Sequence, residues 1–100
     1  MARFTLTPLA KSDINEIVAH IRRDNRVAAK RVRGEIRAAM HQLADHPGLG
    51  HRRDDAMDET LRFWSIYSYL IVYRPSTKPL EIVRVFHGAR DMGSAVRRIR

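Results

Sequence analysis

The stretch HGARD at positions 87–91 sets a titratable imidazole beside a glycine, a guanidinium and a carboxylate. Those residue types can move protons, grip a partner, or simply turn the chain. Arg62, Trp64, Tyr67, Tyr69, Tyr73, Arg74, Arg84, His87 and Arg90 lie in or just after three runs, LRFWSIY (61–67), YLIVYR (69–74) and LEIVRVF (80–86). Guanidinium groups bind phosphate or carboxylate through paired hydrogen bonds, and aromatic rings stack on bases or fill pockets. The competing reading is structural: alternate strand residues face a core, so about half of these aromatics belong to packing. Trp64 and Phe86 are read that way. A lone histidine at a strand end is likewise more often structural than catalytic.

Other chemistries are poorly supplied. His41, His46 and His51 recur every five residues, which on a helix turns successive rings by about 140°. The last two also flank Pro47 and Gly48, and neither an HExxH pattern nor a converging carboxylate pair accompanies them, so no metal site is expected. No serine occupies a Gly-x-Ser-x-Gly elbow. Gly48 and Gly50 follow no strand and precede no Gly-Lys-Ser/Thr, so neither a nucleotide loop nor a cofactor is expected. The lack of cysteine removes disulfides, thiolate catalysis and Cys-bound zinc.

The scaffold that positions the late residues is small. A chain of 100 residues accommodates one hydrophobic core and is read as a single domain, 1–100. An apolar share of 44% with 30% charged residues is a globular balance, not a disordered one. The formal net charge of +8 predicts attraction to a polyanion or an acidic partner. MARFTLTPLAKSD reaches Lys11 and Asp13 before any apolar run develops, unlike a secretory leader. YLIVY is far short of the ~20 residues a membrane helix needs. A cytoplasmic protein without a membrane partner is therefore expected.

ARFTLT (2–7) alternates Phe4 and Leu6 with polar residues, the period of a half-buried strand. Thr7-Pro8 reads as a helix cap with proline in the first turn. Ala10, Ile14, Ile17, Val18 and Ile21 then predict a helix over 8–23. Asp24-Asn25 offers a second cap, and Ala28, Val32, Ile36, Ala39, Met40 and Leu43 predict a second helix with Lys30, Arg31, Arg33 and Arg37 on its polar side. So short a link makes the pair an antiparallel hairpin. HPGLGHRRDDAMDE (46–59) reads as a loop, and the three late runs as strands joined at Tyr67-Ser68 and through PSTKP. The tail DMGSAVRRIR offers a final helical turn. The order strand, helix, helix, then a three-strand antiparallel meander implies an α+β fold, the hairpin on one face of the sheet and the other face free to meet a ligand.

Together, TPLAKSDINEIVAHIRRDN, HPGLGHRRDD, LRFW, YLIVYR and EIVRVFHGARD resemble the ParE/RelE superfamily of bacterial toxins, and within it the ParE branch. The likeness spans about residues 6 to 92 in the same element order. It implies the toxin component of a type II toxin–antitoxin system, joined to a cognate antitoxin in a hetero-oligomer. ParE-type action implies poisoning of DNA gyrase, trapping of cleaved DNA and a block to replication.

The alternative within the superfamily is a RelE-like endoribonuclease that cuts messenger RNA on the ribosome. That reaction needs a base for the 2′-OH, an acid for the leaving oxygen and cations on the scissile phosphate. His87 or Tyr73 would transfer protons, with Arg62, Arg74 and Arg84 supplying charge. The sequence departs from that pattern: it lacks the dense Lys/Arg set with a terminal tyrosine, and Phe86-His87 runs into Gly88 with twelve residues still to come. A non-enzymatic gyrase toxin therefore ranks first, with Arg62, Arg74, His87 and Arg90 as target-binding residues. The antitoxin is expected to be an acidic, partly disordered segment folding across the helix hairpin and sheet edge.

Overall fold

The computed structural model describes residues 3–54 and 56–88. The first strand, β1, is short, Phe4–Leu6. Thr7 ends it in extended backbone, and its hydroxyl accepts the Ala10 N–H at 3.1 Å. With Pro8 in the first turn, that cap launches α1, Pro8–Asp24. Asn25 then serves two helices at once. Its N–H donates to the Ile21 carbonyl, and its side chain accepts the Ala28 N–H at 2.9 Å to open α2, Arg26–Asp45. A one-residue joint leaves no slack, so the helices fold back on each other as the apolar stripes require.

The three late strands are β2 (Arg62–Ile66), β3 (Tyr69–Arg74) and β4 (Leu80–His87), an antiparallel meander. Sequence pattern leaves the place of β1 open; it pairs parallel to β4, giving a mixed four-strand sheet in the order β1-β4-β3-β2. Ala10, Ile14 and Val18 of α1 and Ile36, Met40 and Leu43 of α2 pack over Ile71, Tyr73, Leu80, Ile82 and Val85 on one face. Trp64 lies half-buried against that core.

The opposite face is not free, which corrects the expectation above. Leu61, Phe63, Leu70, Val72, Val83 and Phe86 are all buried there, with Ala56 packed against them and the Arg53 guanidinium 5.9 Å from the Phe63 ring centre. Two sequence features cause this. YLIVY is apolar at every position, so β3 buries both of its sides. In β4, Val72 pairs with Arg84 but Tyr73 pairs with Ile82, so Val83 is an extra residue. That bulge resets the alternation, turning Ile82 and Val85 to the helices and Val83 and Phe86 to the second cluster.

Because β1 covers only Leu80 to Ile82, α1 finishes the rim of β4. The Thr7 N–H donates to the Ile82 carbonyl at 3.0 Å, and the Thr7 hydroxyl donates to the Val83 carbonyl at 2.7 Å. The Asp13 carboxylate accepts the Val85 N–H at 3.0 Å. Edge groups that would otherwise need another strand are thereby paired within the chain.

Candidate functional site

The residues singled out in the sequence divide between the two ends of the sheet. At one end, His87 lies opposite Tyr69 across β4 and β3, ring centres 5.2 Å apart. Burial pushes the Tyr69 phenol above its ordinary value. The β2–β3 turn projects Tyr67, which is 76% exposed and whose φ of 51° lies in the left-handed region. A bulky side chain there is strained, a consequence of the very short hairpin connection. The Gly88 N–H donates to the Ser68 carbonyl, and a Cβ on residue 88 would come within 2.6 Å of that oxygen. The His-Gly step is thus a close backbone approach that only glycine permits.

At the other end, Arg74 is engaged through Nε and Nη1. Its Nε donates to Glu81 Oε1 at 3.1 Å, and its Nη1 to Asp58 Oδ2 at 3.1 Å and to the Thr60 hydroxyl at 2.6 Å. Thr60 in turn donates its hydroxyl and its N–H to Asp58 Oδ1. Those two bonds, more than the Arg74 charge, hold the Asp58 carboxyl below its ordinary value despite partial burial. Arg62 donates to the Gly50 carbonyl at 3.3 Å.

Tyr73 is completely buried. Its hydroxyl donates to the Pro47 carbonyl at 2.7 Å and accepts the Gly50 N–H at 2.8 Å, fastening the loop after α2. Burial pushes its phenol up, partly offset by Gly50 and Arg62. Gly50 has to be small, since a Cβ would strike the Tyr73 ring. Arg84 is held by Asp13 through Nε to Oδ2 at 2.7 Å and Nη2 to Oδ1 at 3.0 Å. Those hydrogen bonds hold the guanidinium above its ordinary value against the pull of burial. It also lies 4.9 Å from the Phe86 ring centre.

The structure therefore brings together neither the target-binding set nor the proton-transfer set. Tyr69 and Arg74 bound β3, so His87 and Arg74 stand about 17 Å apart along the strand direction. Tyr73 and His87 lie at different ends, and Tyr73 offers its hydroxyl to the loop alone. Arg90 and the tail after Gly88 lie outside the described residues. Asp13, Asp58, Thr60 and Glu81, which complete these networks, were not singled out from sequence. Asp13 carried a signal: it flanks the buried stripe of α1 beside Ile17, where a carboxylate meets whatever cation the sheet presents.

The arginines of the helix hairpin are placed differently. Arg22, Arg23, Arg26, Lys30, Arg31, Arg33 and Arg37 are all exposed, with Asp24 and Glu35 the acids among them. Among the described residues, the hydrogen bond from Arg33 to the Asn15 amide, 3.3 Å, is the side-chain contact these seven make.

A strand, a helix hairpin and a meander with its cations distributed this way define a small basic α+β domain, and that fold has a solved counterpart. The structure titled "Chromosomal ParDE TA system from P. aeruginosa" matches with a TM-score of 0.72 over 87% of this chain and 96% of that one, at 18% identity. The family described as "ParE toxin of type II toxin-antitoxin system, parDE" matches residues 4–92, and the chain belongs to it. No curated protein matches the chain significantly.

Proposed function

We propose that this toxin acts by docking on DNA gyrase, not by cutting RNA, and that a cognate acidic antitoxin neutralises it in a shared cytoplasmic complex. One observation carries the preference. The groups that ribonuclease chemistry would need are apart, and most are committed elsewhere: Tyr73 to the loop, Arg74 to Asp58 and Glu81, and Arg84 to Asp13. General acid–base catalysis requires such groups within hydrogen-bond reach of one reacting centre. Family membership supports the same reading, and the net charge of +8 suits fast association with an acidic antitoxin segment.

Expression of the toxin alone, with separate readouts of DNA breakage and transcript integrity, tests the proposal. Purified protein should inhibit supercoiling and accumulate cleaved DNA. His87→Ala should not abolish toxicity, because no proton transfer depends on it; the loss of one target contact would at most weaken the toxin. Degraded transcripts with normal supercoiling, together with loss of toxicity in that variant, would favour the RelE-like reaction instead.

A further inference from the structure

We propose that Arg26, Lys30, Arg33 and Arg37 form a docking surface for duplex DNA, the exposed side of α2 lying along the major groove and its cations meeting the phosphates. The four occupy i, i+4, i+7 and i+11, which puts them within about 60° of one another over about 16 Å of helix. All are exposed, and among the described residues none is paired with a carboxylate. Glu35 projects about 140° around the helix from Lys30. Like charges three and four residues apart repel, so the stripe opposes the helix that carries it. Inside the chain, the stripe's side-chain hydrogen bond among the described residues is the exposed one from Arg33 to Asn15 Oδ1 at 3.3 Å.

Gly34 belongs to the same side. A Cβ there would meet nothing within 4 Å, so the fold has no steric need of glycine at this place. It lies about 40° around the helix from Lys30, on the flank of the stripe, and keeps the surface low where a rigid partner would pass beside the cations.

The chemistry of the stripe selects the occupant. An acidic peptide that folds on binding must bury apolar surface to offset its ordering entropy. The large exposed apolar side chain of α2, Val27, projects about 60° or more around the helix from each of the four, so the stripe itself offers a folding peptide little beyond its charges. A phosphodiester backbone needs only spaced cations. An α-helix about 10–12 Å across fits the B-form major groove, about 12 Å wide, whereas the A-form RNA major groove is too narrow. The inference is independent of the gyrase reading, because a supercoiling assay run in parallel reports on that target separately.

The test is fluorescence anisotropy of a labelled, mixed-sequence DNA duplex titrated with the purified chain. Four phosphate contacts predict a log–log salt slope of about −3.6, roughly a 10²-fold loss of affinity between about 50 and 200 mM salt. The variant R26Q/K30Q/R33Q/R37Q should bind at least about tenfold more weakly at low salt, with a slope near zero. The variant K11Q/R31Q/R52Q/K78Q removes the same charge from other exposed positions and should bind nearly as the parent does. Gly34→Leu should keep the fold and weaken binding several-fold. Equal losses in the two quadruple variants would overturn the proposal. So would equal affinity for an RNA duplex of the same sequence, or displacement by polyglutamate as effective as by unlabelled DNA.

Discussion

Arg74 and Arg84 in the sheet carry the same charge as Arg26, Arg33 and Arg37 on α2, in opposite circumstances. The sheet arginines are half-buried, and each is matched to carboxylates contributed by other elements, Arg84 to Asp13 on α1 and Arg74 to Asp58 and Glu81. The α2 cations stand in water, and no carboxylate answers them among the described residues. A cation inside its own network is a structural part, and its removal should cost stability. A cation in an unanswered row repels its neighbours, and its removal should cost only what it binds.

The largest effect should come from Asp13→Ala, which strands the Arg84 guanidinium and frees the Val85 N–H on the rim of β4. A charged pair broken at one partner, plus an orphaned backbone donor, predicts a loss of about 2–3 kcal/mol in urea unfolding. A loss under about 0.5 kcal/mol would erase the distinction between sheet and helix cations, since that is the scale of an exposed pair. Tyr73→Phe should cost about 1–2 kcal/mol by leaving the Pro47 carbonyl and the Gly50 N–H without their partner. Faster amide exchange confined to residues 48–51 would locate the effect.

Acid should act more gently. The Asp58 carboxyl titrates below its ordinary value of 3.8 in the folded chain. Its contribution is therefore fully present above that value and is lost as pH falls through the lower, folded one. Since Asp58 is partly exposed, the loss should stay below about 1 kcal/mol, and Asp58→Asn should remove this component from the melting temperature measured between pH 5 and pH 2. The smallest effect, of opposite sign, belongs to the helix: R26Q/K30Q/R33Q/R37Q should stabilise the fold by a few tenths of a kcal/mol through relief of i, i+3 and i, i+4 repulsion. A destabilised quadruple variant would show that the exposed Arg33–Asn15 hydrogen bond, or another contact of the row, outweighs the repulsion.

Most of the secondary structure was legible because its signals are local. Thr7-Pro8 and Asn25 mark helix starts by short-range hydrogen bonding, and the apolar stripes fix which side of each helix is buried. The turn at Tyr67-Ser68 followed from the separation of two strands. The candidate site was read less well. A list of arginines and aromatics on late strands has no depth or direction, so Arg62, Arg74 and His87 read as one surface although the sheet holds them at opposite ends. Tyr73 looked chemically available until the loop at Pro47 and Gly50 was seen to surround its hydroxyl.

By itself the chain's order of residues determined the α+β class, the hairpin, the meander, the positive charge and the ParE likeness, because each depends on neighbours a few positions apart or on composition. Tertiary structure alone decided the parallel seat of β1, the bulge at Val83 that buries the second sheet face, and the pairing of each sheet arginine with a distant acid. Asp13 and Arg84 are 71 residues apart. No local period can register so long a separation, and only the packed chain makes their charges meet.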